Sequence, residues 1–188
     1  GRQHPAGVVK WYVEVFDQEN ELVAMATILT LVAKKSPFFE VTRPNLVSML
    51  DQLTEDTRPL WGQMTPQHLK EHLEFFMRMA IGEVPTEITT PEERLEKFQE
   101  SLYSHRKMPR QFEHPMLRKG EPEDLRFGSL GEAKQAFLDA HDRFEAYFKE
   151  HPEAKTPNTI FGLLDKELWD LLNRKHLTHH FEQFGLWE

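Results

Sequence analysis

A chain of 188 residues, 39% hydrophobic and 29% charged, is long enough for one ordinary domain with a core and an appendage. With no cysteine it has neither disulfides nor thiolate ligands, so any metal must be held by His, Asp or Glu. The net charge of −8 opposes nucleic acid and anionic membrane surfaces as partners, and no run of about 18 apolar residues signals a membrane span.

The start, Gly1-Arg2-Gln3-His4-Pro5, has no apolar signal region and no initiator Met, so a cytoplasmic piece of a longer protein is expected. Val9, Trp11, Val13 and Val15 then alternate with Lys10, Tyr12, Glu14 and Phe16, the period-two pattern of a strand. Asp17 to Glu21 carries turn chemistry, and Leu22 to Val32 supplies a second strand, so the two form one β-hairpin. Two strands cannot bury both faces, so this hairpin belongs to a larger sheet or leans on the helices.

Lys34-Lys35-Ser36-Pro37 marks a boundary after which strand signals stop, dividing the chain into a hairpin over 1–36 and a helical domain over 37–188. A first helix is predicted over Asn45–Glu55, entered through Pro44, with Leu46, Val47, Leu50 and Leu53 on one face. Thr65 caps a second helix with Pro66 at its first position, and a short third starts near Pro91 with Leu95, Phe98 and Leu102 on its apolar side. Tyr103 to Phe127 reads as irregular and includes a basic loop, Ser104 to Arg110, either solvated or in contact with an anion. Ser129 caps an amphipathic helix to Lys149, and Asp165 caps a last one that ends near Gly185. The class is mainly α, and the four substantial helices suggest an antiparallel four-helix bundle with an N-terminal β-hairpin.

Ten histidines are present, and their placement matters more than their number. His176 and His180 lie one turn apart on the stripe of Trp169 and Leu172, a two-ligand pincer for a divalent metal. His72, near the centre of the Leu69, Leu73 and Phe76 stripe, is the third ligand that pattern favours. His68, toward the edge of that stripe, and His179 stay open as outside candidates. Three neutral imidazoles with an open position suit zinc first, with nickel or iron as alternatives. No general base is evident: Glu71 is expected to point off the apolar face, and Glu182 and Asp142 to be solvated.

Trp61-Gly62-Gln63-Met64-Thr65, His72, and the ending His176-x-x-His179-His180-x-x-Gln183-Phe184-Gly185-Leu186 resemble the DinB/YfiT-like metal-binding superfamily, in a branch known as a domain of unknown function. The resemblance covers residues from about 44 to the end. It implies an up-down-down-up four-helix bundle whose three metal ligands fall on His72, His176 and His180. It also implies kinship with thiol-dependent transferases and isomerases. Val13 to Gln18 and Ala26 to Ala33 are similar to the last hairpin of MaoC-like hot-dog domains, more narrowly the oxepin-CoA hydrolase domains fused to aldehyde dehydrogenases in phenylacetate catabolism. That likeness implies the C-terminal part of a fusion and contains none of the hydratase catalytic residues.

Two functions follow as expectations. One is a metal-dependent hydrolase, transferase or isomerase acting on a small molecule. The other is a non-catalytic accessory or oligomerisation domain, forming a homodimer, with Trp61, Phe75, Phe76 and Met77 as an apolar docking face.

Overall fold

The computed structural model describes residues 6–33, 36–110 and 122–188. Lys34 and Lys35 of the expected boundary, and 111–121 of the expected irregular segment, lie outside the described residues. The chain divides into two compact units, Gly1–Pro37 and Phe38–Glu188. It is mainly α, with a two-stranded hairpin at its N-terminal end. No helix among the described residues is long and apolar enough to cross a membrane.

In the first unit β1 (Ala6–Phe16) pairs antiparallel with β2 (Leu22–Ala33), setting Trp11 opposite Ile28 and Val13 opposite Ala26. The turn is built by Asp17, whose Oδ1 accepts the N–H of Glu19 and of Glu21, both at 2.9 Å. Asn20 takes the left-handed conformation (φ 64°) that the turn needs. Large apolar side chains on both faces are exposed, Trp11, Tyr12, Met25 and Leu29 among them.

The second unit holds α1 (Arg43–Leu50), α2 (Pro66–Ala80), α3 (Glu92–Leu102), α4 (Leu130–Glu150) and α5 (Lys166–Gln183). Local chemistry sets the starts. Thr65 accepts the His68 N–H while His68 Nδ1 accepts the Thr65 N–H, a reciprocal cap in which an imidazole replaces the usual carboxylate. Ser129 Oγ accepts the Glu132 N–H, and Asp165 Oδ1 accepts the Leu168 N–H. The last helix stops at Gly185 (φ 69°), where the Leu186 N–H turns back to the Phe181 carbonyl.

Two expectations need correction. The first helix ends at Leu50 rather than Glu55, because Gln52 and Leu53 tighten into bonds on Met49 and Leu50 while Leu53 still enters the core. Strand structure also does not stop at the boundary: β3 (Thr156–Asn158) and β4 (Gly162–Leu164) form a second small hairpin. Three-residue strands are too short for a period-two pattern to register.

Trp169, Phe137, Phe144, Phe181, Leu73 and Met77 are among the most deeply buried side chains. α2 packs chiefly on α4 and also meets α5 and β3. Thr156 ties three elements together, donating to the Ala80 carbonyl at 2.6 Å and accepting the Trp169 indole N–H at 2.7 Å. These contacts hold α2 and α5 with their histidine-bearing faces toward each other.

Candidate metal centre

His176 and His180 follow each other one turn apart on α5, and His72 faces them from α2. The His72 and His176 Nε2 atoms are 2.8 Å apart, and those of His176 and His180 3.0 Å. One nitrogen from each ring lies within 4.8 Å of the others, and no other cluster of this kind occurs among the described residues. His176 and His180 are each 6% exposed, and His72 is half-buried.

The donor set fits a metal. Three nitrogens at about 2.0–2.1 Å on a tetrahedral ion stand about 3.3–3.4 Å apart, between the two short separations here and the 4.8 Å limit on the set. Burial, with neighbouring His72 and His179 adding to it, pushes the His180 pKa well below the usual histidine range, against the hydrogen bond His180 donates to Gln183. His180 is therefore held neutral, the state a metal ligand requires.

The open side of the cluster faces a cavity of about 90 Å³. Its walls are apolar, with Phe75 and Met79 from α2, Met64 before it, Met108, and Ile160 and Phe161 from the β3–β4 turn. That turn is fixed by Asn158 Oδ1, which accepts the N–H of Ile160 and of Phe161 at 3.0 Å each. No carboxylate lines the cavity among the described residues; besides the three histidines its polar groups are His179 and Asn158.

The basic loop predicted from the sequence lies along α5 and supplies Met108 to the cavity. Lys175 Nζ donates to the carbonyls of Ser104 at 2.6 Å and Arg106 at 2.7 Å, beneath the Phe38 ring. Burial lowers the Lys175 pKa to about 8. Lys107 pairs with Glu182, His179 bonds the Met108 backbone, and the Arg110 guanidinium lies 4.5 Å from the Trp61 ring centre.

The outside candidates take other roles. His68 is used in the cap of α2, and His179 packs edge-on against Trp61 beside the cavity. Glu71 does not point to solvent: it is buried, and its carboxylate accepts the N–H groups of Arg126 and Phe127 and the Gln67 side chain. Asp142 pairs with Arg43 on the surface. The expected docking face is not one, because Phe76 and Met77 are buried in the core and Phe75 lines the cavity. The role of Gln183 was not visible in residue periodicity. Its Oε1 lies 2.8 Å from His180 Nδ1 and its Nε2 donates to the Trp61 carbonyl.

No family model, curated protein or solved structure matches the chain at a significant level.

Proposed function

We propose that this chain carries a divalent-metal-binding domain of the DinB/YfiT-like kind, a four-helix bundle with zinc as the first choice of ion and nickel or iron next. The observation that carries the reading is the convergence of three Nε2 atoms from two helices at one buried point that opens onto an apolar cavity. When bound, a divalent ion supplies Lewis acidity at its fourth position. The chain's own residues hold His180 neutral, orient the imidazoles, exclude bulk water with Met and Phe walls, and among the described residues leave no carboxylate at the opening. Reaction on a small molecule with an apolar body, by metal-dependent hydrolysis or thiol-dependent transfer or isomerisation, is the activity that best suits such walls.

The test begins with elemental analysis of untagged protein, expected to give one metal per chain. The loaded protein is then screened against thiol-adduct and CoA-thioester substrates. Stoichiometric metal with turnover of none of them favours a second reading, an accessory domain that assembles with a copy of itself or an attached enzyme. The exposed apolar side chains on both faces of the β1–β2 hairpin are what favour it. Sedimentation that shows only monomer, alone and beside a fused partner, removes that second reading.

A further inference from the structure

The metal ligands are oriented by a relay that begins outside the helices. The Trp61 carbonyl can only accept a hydrogen bond, so the Gln183 atom 3.0 Å from it is the amide nitrogen. The orientation of the Gln183 amide is thereby decided, and the atom it turns to His180 Nδ1, at 2.8 Å, is its carbonyl oxygen. An oxygen that accepts requires a ring nitrogen that donates. His180 must therefore carry its proton on Nδ1, leaving Nε2 as a bare lone pair toward His176 Nε2 at 3.0 Å.

The backbone around Trp61 is shaped to allow this. The Leu60 N–H donates to the Gln183 main-chain carbonyl at 2.7 Å, holding the Trp61 turn against the end of α5. Gly62 follows with φ 75°, and a Cβ there would stand 2.8 Å from Gln183 Nε2. That position excludes a side chain twice, by backbone conformation and by the close approach of the amide. Gln183 is itself 5% exposed, so water does not replace it readily.

We infer that Gln183 is a positioning residue for the metal centre, that it fixes His180 in the Nδ1–H form, and that Gly62 is a glycine so that Gln183 can reach the Trp61 carbonyl. The inference rests on the metal reading, and its test separates the two. Long-range ¹H–¹⁵N spectra of the metal-free protein report which His180 nitrogen is protonated, and zinc titration against a competing chelator reports affinity. The Nδ1–H form is expected in the wild type. Gln183→Leu should lose that form and weaken zinc binding about 10–100-fold, the usual cost of removing such a partner. Gln183→Glu keeps an acceptor for the His180 Nδ1–H but sets an oxygen against the Trp61 carbonyl, so it should retain that form and bind zinc more tightly than the Leu variant. A residue that merely filled space would not distinguish Glu from Leu.

Gly62→Ala should weaken zinc binding more in the wild-type background than in Gln183→Leu, where the group it displaces is gone and only the backbone strain at φ 75° remains. Circular dichroism identifies any variant that fails to fold. An Nε2–H form in the wild type, equal zinc affinity in the Leu variant, or additive losses in the double variant each overturn the assignment. Absent zinc binding with an intact Nδ1–H signal overturns the metal reading and leaves the orienting role of Gln183 supported.

Discussion

Zinc added to the metal-free protein is expected to raise its unfolding temperature, and His176→Ala to abolish the rise. His176 is the shared member of the cluster, with its Nε2 at 2.8 Å from that of His72 and 3.0 Å from that of His180. Its loss leaves two ligands on different helices with nothing between them. The magnitude follows from linkage: an ion present at about 1,000 times its Kd stabilises the folded state by about 4.1 kcal/mol. In a domain of about 150 residues each 1 kcal/mol moves the midpoint by about 2–4 °C, which makes the rise about 8–16 °C. The His176 ring also packs on Phe76, with ring centres 4.2 Å apart, so the variant is less stable even without metal. The quantity to compare is therefore the zinc-induced shift within each variant, by thermal melting followed by circular dichroism, with elemental analysis of the same samples. His105→Ala and His151→Ala, both exposed positions outside the cluster, should keep the full shift. An undiminished shift in His176→Ala, or a lost one in His105→Ala, refutes the ligand assignment.

Three further outcomes are expected. His141 is 5% exposed, and neither ring nitrogen has a hydrogen-bond partner among the described residues, the Asp142 carboxylate at 3.7 Å being too far. Burial lowers its pKa below the usual 6.5, against Glu145 and Asp142 and with Lys166. The unfolded chain thus takes up this proton first, and stability contributed by neutral His141 is lost as pH falls from about 6.5 through the folded value. His141→Leu should flatten that part of a urea-stability profile against pH and raise stability at pH 7 by about 1–2 kcal/mol; an unchanged acid limb counts against it. Thr156→Val should cost about 2–4 kcal/mol in urea unfolding, because it strips partners from the Ala80 carbonyl and the Trp169 indole. A cost below about 0.5 kcal/mol would mean the hydroxyl is not the tie it looks. Lys175→Met should speed amide exchange at 104–108 about tenfold while sparing the interior of α4, and equal exchange at 104–108 removes Lys175 as the anchor of that loop.

Much of the helical unit was legible in the sequence because its signals are local. Thr65-Pro66, Ser129 and Asp165 each act on backbone groups two to three residues away, and the helices start at those caps. The pairing of His176 with His180 needed only the helical repeat, and His72 only its place on an apolar stripe. What lay beyond reach depends on chain segments meeting from afar. Glu71 stays out of the cavity, but its burial depends on the N–H groups of Arg126 and Phe127, which sit 55 and 56 residues later in a segment without periodicity. The β3–β4 hairpin is held by Asn158 and by the contact of Thr156 with two helices, none of which leaves a pattern in a three-residue strand. Gln183 belongs to the ending that carries the family resemblance, but that pattern assigns it no role; its approach to Trp61, 122 positions earlier, gives its amide a direction.

The way residues 104–110 are tied down bears on how the cavity can be reached. Lys175, His179 and Glu182, which grip that loop, alternate along α5 with His176 and His180. Two of the three histidines and the anchors of the loop that supplies Met108 are thus mounted on one helix, so they move together, while His72 and the Phe75 and Met79 walls belong to α2. A guest arriving from that side meets the loop first, and two of its three grips, Lys175 and His179, adjoin a histidine of the cluster.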